Sequence, residues 1–233
     1  MLGHIALTLV AYVSYDHMRN QLTKTQRYWF DMAAMHADLF AKKAAEHDEN
    51  NTFALEAYEE MKKSGYASMT IPKEFGGGGA SFLDLCIAQH RLAQGDGPTA
   101  FAINMHLASM ALMAKRWNSG DFSIGPTLKN FHDNQLISFG VGSEPGLETM
   151  YSLVGMLYSD VKAERTEGGF LVNGRKAFGT GTPAGDMLGS SALYTDPSRG
   201  ETIISFSISR NSSGLRCLND WNTMGMRGTG SHG

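Results

Sequence analysis

The hydrophobic pattern of the chain changes its period once, near Gln135, and this change limits the fold more than any other feature. Before it, apolar residues recur at intervals of three and four, as at Phe30, Ala33, Ala37 and Phe40. That spacing indicates helices. After it, apolar and polar residues alternate, which is typical of strands. Helices followed by strands, rather than alternating with them, predict an α+β fold.

Local start and stop signals predict five helices. Thr23 and Gln26 match a capping box, and glycine or proline marks most of the other ends. The predicted spans begin at Thr23, run from Thr52 to Gly65, from Ser81 to about Gln94 and from Pro98 to Gly120, and end with a short helix after Pro126.

The second part of the chain predicts strands joined by glycine-containing turns. Hairpin signals occur at Glu167-Gly168-Gly169 and at Asn173-Gly174. We therefore expect an N-terminal extension over residues 1–21, an all-α helical domain over 22–135 and a middle β domain over 136–233. The β domain is expected to be antiparallel and barrel-like.

Charge and cysteine content exclude several classes of function. Lys and Arg number 20 against 23 Asp and Glu, so the net charge of -3 gives no general attraction for nucleic acid or an anionic membrane. The two distant cysteines, Cys86 and Cys217, indicate reduced thiols and a cytoplasmic protein. The apolar first fifteen residues are too short to span a bilayer. No histidine has a second ligand at metal spacing, so no metal site is expected.

The segment VNGRKAFGTGTPAGD, residues 172–186, is dense in glycine but matches neither phosphate-binding glycine motif. Phe178 and Thr180 share the same parity, so both are expected to point to one face of their strand. An aromatic ring beside a hydroxyl suits a planar heteroaromatic ligand. The alternative is an ordinary barrel strand with a glycine kink.

A second candidate element is VGSEPG, residues 141–146, at the end of the first predicted strand. There Ser143 can present its hydroxyl, and backbone amides gather around a Pro-Gly turn. The alternative is a plain turn with no ligand.

Four motifs stand in the order and spacing of the acyl-CoA dehydrogenase family of flavoproteins, which the chain resembles from Leu22 to His232. They are GYASMTIPKEFGGGGAS, GSEPG, GGFLVNGRKAFGTG and WNTMGMRGTGSH. Members of that family have a helical N-terminal domain, a middle β domain and a C-terminal four-helix domain. The resemblance covers the first two.

The resemblance implies FAD as the cofactor and assigns residues to it. Ser143 falls on a threonine that contacts the flavin, and Phe178 on the aromatic residue beside its ring. Thr180 falls on the threonine that hydrogen-bonds the ring near its reactive nitrogen. Thr149 takes the place of a serine that contacts flavin or the CoA part of the substrate.

Two departures from the family bear on the reaction. Glu148 replaces a glycine, and its negative charge disfavours an anionic CoA thioester. The family's catalytic base is a glutamate of the C-terminal helical domain, which no position here matches. No catalytic residue is therefore assigned, and the chain alone is expected not to dehydrogenate an acyl-CoA. Arg227 is expected to be solvated or structural rather than to face a phosphate.

The leading hypothesis is α,β-dehydrogenation of an acyl thioester, as in fatty acid metabolism. The resemblance implies an acyl-CoA or related small-molecule substrate, electron-transfer flavoprotein as the acceptor, and the homo-oligomer of the full-length family. Two alternatives stay open. One is a monooxygenase that uses reduced flavin on the same fold, and the other is a non-catalytic truncated fragment that binds no flavin.

Overall fold

The computed structural model describes residues 17–141 and 159–233. Within the described residues, helical backbone at 17–21 is followed by five α-helices: α1 Lys24–Asn50, α2 Leu55–Ser64, α3 Phe82–Leu92, α4 Gly97–Asn118 and α5 Gly125–Asp133. The described part of the chain then contains five strands: β1 Ser138–Gly140, β2 Lys162–Thr166, β3 Gly169–Asn173, β4 Met187–Asp196 and β5 Gly200–Ser209. The predicted α+β class is confirmed, and the expected boundary at residue 135 lies between α5 and β1.

The helix ends follow the local signals in the sequence. The Thr23 side chain accepts from the Gln26 amide, and the Gln26 side chain accepts from the Thr23 amide at 2.9 Å, so the capping box is complete. Ser81 caps α3 in the same way. Gly65 ends α2 in the left-handed conformation that glycine adopts without penalty. These ends satisfy backbone groups that a helix leaves without intrahelical partners.

Small residues let the long first helix pack closely against its neighbours. Ala33 and Ala37 of α1 are fully buried, and Ala33 belongs to the main helical core. A β-carbon added to Gly95, in the α3–α4 connection, would lie 2.1 Å from the Ala37 carbonyl oxygen. The absence of a side chain at Gly95 is therefore a packing requirement of the helical layer.

The sheet is mixed and open, so the expectation of an antiparallel, barrel-like domain is wrong. Strand β4 lies at its centre and pairs along its whole length with antiparallel β5. The other edge of β4 pairs in parallel with β1 and then with β2, and β2 carries antiparallel β3. Alternating sequence predicts strands but does not encode their direction, which depends on the long connections between them.

Only one of the two predicted hairpins forms. Strands β2 and β3 pair antiparallel around Gly168, whose φ is 81°. Beyond Asn173 the chain does not turn back on β3. A β-carbon at Gly174 would meet Val161 at 2.6 Å, so this glycine allows a close crossing of the two chain segments. Residues 174–186 contribute isolated bridges, including one between Gly179 and His232, before β4 begins.

A buried histidine joins the helical layer to the sheet. The Nε2 atom of His106 lies 2.9 Å from the Ala67 carbonyl, and its Nδ1 atom accepts from the Ser138 amide at 3.0 Å. These two contacts require a neutral ring with hydrogen on Nε2, since Nδ1 accepts. Burial lowers the pKa of His106 to about 4.

Candidate functional site

The segment that carries Phe178 and Thr180 lies against the last residues of the chain. The Gly179 amide donates to the His232 carbonyl at 2.8 Å, and the Gly181 amide donates to the Thr229 carbonyl at 3.0 Å. Two distant pieces of sequence thus form one small surface. The candidate site is built from both, rather than from one strand alone.

Phe178 does not occupy a regular strand. Its φ of 60° places it in the left-handed region, which is uncommon for a residue with a side chain. Its ring is 61% exposed, whereas Thr180 is 8% exposed. The parity argument for these two residues therefore fails, because the left-handed conformation interrupts the alternation that it assumes. The ring lies at the surface, and the threonine lies beneath that surface.

Trp221 supports the exposed phenylalanine. The two ring centroids are 6.2 Å apart with the planes at 89°, an edge-to-face arrangement. The Trp221 indole N–H is buried and has no hydrogen-bond partner in the described part of the chain. Phe178 is thus braced from one side while much of its ring stays open to solvent.

Three buried hydroxyls form a chain of hydrogen bonds beside Phe178. The Ser231 Oγ atom lies 2.9 Å from Thr180 Oγ1 and 2.9 Å from Thr229 Oγ1. The Thr180 hydroxyl is therefore part of a hydrogen-bonded group of three, and the other two hydroxyls come from the C-terminal segment. We name Thr180, Ser231 and Thr229 the hydroxyl cluster.

The glycines of this segment make room for the protein's own atoms. A β-carbon at Gly179 would lie 2.6 Å from the Thr182 hydroxyl and 2.9 Å from the His232 carbonyl. At Gly185 it would lie 1.9 Å from the Phe139 ring. At both positions the absent side chain is therefore a requirement of backbone and core packing. A flat ligand would have to meet Phe178 instead.

Arg227 holds the C-terminal segment against the first helix. Its Nε donates to the Asp48 carbonyl at 2.6 Å, and its Nη2 donates to the Asp48 carboxylate at 2.7 Å. Asp48 lies in the last turn of α1, where a positive charge also interacts favourably with the helix dipole. The structural interpretation of Arg227 is therefore confirmed.

The remaining assigned residues lie outside the described part of the chain. Ser143 and Thr149, like Glu148, belong to residues 142–158. Their proposed contacts with flavin or substrate stay predictions. The described surface consists of Phe178, Thr180 and the residues that pack against them.

Sequence reasoning missed Trp221, Thr229 and Ser231 as partners of this site. A signal was present, because Thr229 and Ser231 are two residues apart with a glycine between them, so extended backbone would point both hydroxyls to one side. What the sequence did not indicate was that this segment pairs with Gly179 and Gly181.

A separate cleft of about 760 Å³ lies on the helical side, between the start of α1, the glycine-rich loop at residues 76–79 and the end of α5. Its lining includes Trp29, Gly77 and His132. Its two lysines already form ion pairs, Lys62 with Asp186 at 3.6 Å and Lys63 with Glu60 at 2.8 Å. We assign no function to this cleft.

Two features are absent from residues 17–141 and 159–233. No group of three side chains in these ranges has the composition and proximity to bind a metal ion. None of the helices described there has the length and apolar character needed to cross a membrane.

Comparison with known proteins assigns this architecture. Residues 23–119 match the family model of the acyl-CoA dehydrogenase N-terminal domain. YdbM of Bacillus subtilis (strain 168), which carries the name of an acyl-CoA dehydrogenase, is 32% identical to this chain over 210 residues. The match covers 89% of this chain and 52% of YdbM. The chain belongs to the acyl-CoA dehydrogenase-like family.

This acyl-CoA dehydrogenase-like chain also resembles relatives with other reactions. L-evernosamine nitrososynthase of a Micromonospora species is 28% identical over 97% of this chain and 52% of that protein. The crystal structure of a nitrososynthase from Micromonospora carbonacea var. africana is 25% identical with a TM-score of 0.78, covering 91% of this chain and 53% of that one. The crystal structure of FMN-bound TdsC from Paenibacillus sp. A11-2 shares the fold, with a TM-score of 0.78 and 22% identity. The match covers 88% of this chain and 50% of TdsC.

The chain spans about half the length of the curated relatives that it matches. The relatives carry the names of a dehydrogenase, a nitrososynthase and, at 26% identity over 80% of this chain, a dibenzothiophene monooxygenase of Mycolicibacterium goodii. The fold alone does not choose among their reactions. The choice depends on the site.

Proposed function

We propose that this chain binds a flavin at Phe178 and the hydroxyl cluster, and that the reaction it serves is oxygenation with reduced flavin. The observation that carries the flavin proposal is the exposed Phe178, held in a left-handed conformation two residues before the buried Thr180, whose amide donates to the Phe178 carbonyl at 3.0 Å. A large aromatic residue at 61% exposure presents an apolar surface that a bound ring would cover.

The residues present fit a planar heteroaromatic ring. Phe178 offers one apolar ring surface, and Trp221 keeps that surface in place through its edge-to-face contact. Thr180, two residues along the same segment, offers a hydroxyl that can orient a ring through a polar edge. Binding sites for cofactors commonly combine aromatic walls with a few such polar groups. A bound flavin would supply the two-electron redox chemistry that protein side chains lack.

Oxygenation is favoured over dehydrogenation by a feature of the sequence. Glu148 stands where dehydrogenases carry a glycine, and its charge would repel the phosphates of a CoA thioester. The similarity to nitrososynthases extends over 97% of the chain, which supports the same choice.

Dehydrogenation of an acyl thioester is the second candidate, because YdbM, at 32% identity, carries an acyl-CoA dehydrogenase name. In that case an acyl-CoA would be the substrate and electron-transfer flavoprotein the natural acceptor. FAD is the flavin proposed by resemblance, and FMN is the flavin seen in the TdsC structure.

One experiment separates these reactions. The purified chain is loaded with FAD or FMN, and acyl-CoAs of several chain lengths are added without oxygen. We expect no bleaching of the flavin absorbance. With reduced flavin and ¹⁸O₂, we expect mass spectrometry to find label incorporated into an amino sugar or an organosulfur compound from a test panel.

The controls are free reduced flavin and the heat-denatured chain. Bleaching by an acyl-CoA, with no label transferred, would make dehydrogenation the correct proposal. Failure of the chain to retain either flavin would favour the non-catalytic alternative and reject both reactions.

A further inference from the structure

The hydroxyl cluster has more hydrogen-bond donors than its own contacts use. Thr180, Ser231 and Thr229 are 8%, 5% and 2% exposed, so water has little access to them. Each hydroxyl carries one hydrogen, which gives three donors. Two hydrogen bonds, Thr180 to Ser231 and Ser231 to Thr229, join the three oxygens.

One O–H group is therefore left without an acceptor among the described residues. Two links use two of the three hydrogens, and no further hydrogen bond from these hydroxyls occurs within residues 17–141 and 159–233. A buried donor without a partner costs free energy. A ligand that brings an acceptor to the cluster would remove that cost and satisfy all three donors.

The position of the cluster selects Thr180 as the end that meets the ligand. Thr180 is the most exposed of the three and lies two residues from the open Phe178 ring. Thr229 lies at the opposite, most buried end. Donation from Thr229 to Ser231, and from Ser231 to Thr180, leaves the Thr180 hydrogen free to point outward.

We propose that Ser231 and Thr229 are positioning residues that set Thr180 as a hydrogen-bond donor toward the ligand, so that the site prefers a ligand presenting an acceptor. This inference rests on the proposed flavin function. In an oxidised flavin the reactive ring nitrogen accepts a hydrogen bond, whereas in the reduced ring it carries hydrogen and donates. The cluster therefore favours the oxidised form.

The hydrogen bonds also reinforce one another in this direction. A hydroxyl that accepts from a neighbour becomes a better donor, and the effect is larger in a buried site. Removing the Ser231 hydroxyl would leave Thr180 free to rotate and to accept as readily as donate. The preference for the oxidised ring should then weaken without loss of the aromatic contact at Phe178.

The test uses FMN, which carries the same ring as FAD. Its dissociation constant from the purified chain is measured for the oxidised form and, without oxygen, for the dithionite-reduced form. We expect Ser231→Ala to weaken binding of oxidised FMN about fivefold, the effect of one hydrogen bond, with little change for reduced FMN. The midpoint potential of the bound flavin should rise accordingly.

Matched variants separate this role from a structural one. Thr229→Val keeps the side-chain shape but removes the hydroxyl, and it should shift the affinity ratio in the same direction. Thr229→Ser keeps the hydroxyl and should restore the wild-type ratio and potential. Thr70→Val removes a buried hydroxyl that bonds the Leu107 carbonyl elsewhere, and it should leave both unchanged.

The outcomes are distinguishable. Flavin binding with an unchanged ratio and potential in Ser231→Ala and Thr229→Val would overturn the positioning role while the proposed function stands. Failure of the unmodified chain to bind FMN would reject the proposed function and this inference with it.

Discussion

Replacing Gly95 with alanine should destabilise the fold by about 3 kcal/mol, at the upper end of the effect of overpacking. The new β-carbon would lie 2.1 Å from the Ala37 carbonyl oxygen and 2.5 Å from the Ala37 carbonyl carbon. These are backbone atoms in the middle of α1, so they cannot rotate away as a side chain can. Relief requires the α3–α4 connection to move off the first helix.

Gly97, only two residues away, provides the matched control. A β-carbon there meets nothing within 4 Å, and the position begins α4. Gly97→Ala should be neutral or slightly stabilising, since alanine loses less backbone entropy than glycine. Urea unfolding followed by circular dichroism measures both variants. Equal stability of the two would show that Gly95 does not contact α1 as described.

The second large effect is a loss of stability in acid that depends on His106. Its folded pKa of about 4 lies below the unfolded value of 6.5, so the unfolded state binds the proton more readily. The contribution of neutral His106 to the stability of the folded state is complete above pH 6.5 and is lost as the pH falls toward 4. This difference between the folded and unfolded pKa of His106 corresponds to a contribution on the order of 3 kcal/mol to the free energy of unfolding.

The cause of this shift is mainly burial. The Ala67 carbonyl and Asp186 raise the pKa and oppose the effect of burial, while Lys62 lowers it. Protonation would also place a hydrogen on Nδ1, facing the Ser138 amide that it now accepts from. Acid therefore acts directly on the contact between α4 and β1.

His106→Gln removes the titrating group while retaining one donor and one acceptor. Its free energy of unfolding should be lower at pH 8 but should fall less between pH 6.5 and pH 4 than that of the unmodified chain. His36, whose pKa burial also lowers, is present in both proteins and cancels in the difference. Parallel pH profiles for the two proteins would contradict this account.

The helical part was readable from sequence because its signals are local. The Thr23 capping box, the Ser81 cap and the Gly65 stop each involve residues within one helical turn. Their chemistry depends little on the rest of the fold. The five predicted helices are accordingly all present, within a few residues of their expected ends.

The sheet and the site depend on distant contacts, which single-sequence patterns do not contain. No sequence pattern near β4 indicates that β1 and β2 both pair with the same edge of this strand. The pairing of Gly179 with His232 likewise joins residues more than fifty positions apart, and nothing in the local sequence indicates the left-handed conformation of Phe178 beside it. The resemblance identified Phe178 and Thr180 as candidates, but the role of Ser231 emerged only from the folded chain.

The most direct test of the account is a flavin titration that compares Phe178→Ala with Phe170→Ala. Both rings are exposed, but Phe170 lies on β3, where it packs edge-on against Tyr194 at 5.1 Å. The account predicts that the unmodified chain and Phe170→Ala bind FMN or FAD alike, and that Phe178→Ala binds about tenfold more weakly, a loss of about 1.4 kcal/mol. Equal affinity in all three proteins would contradict it.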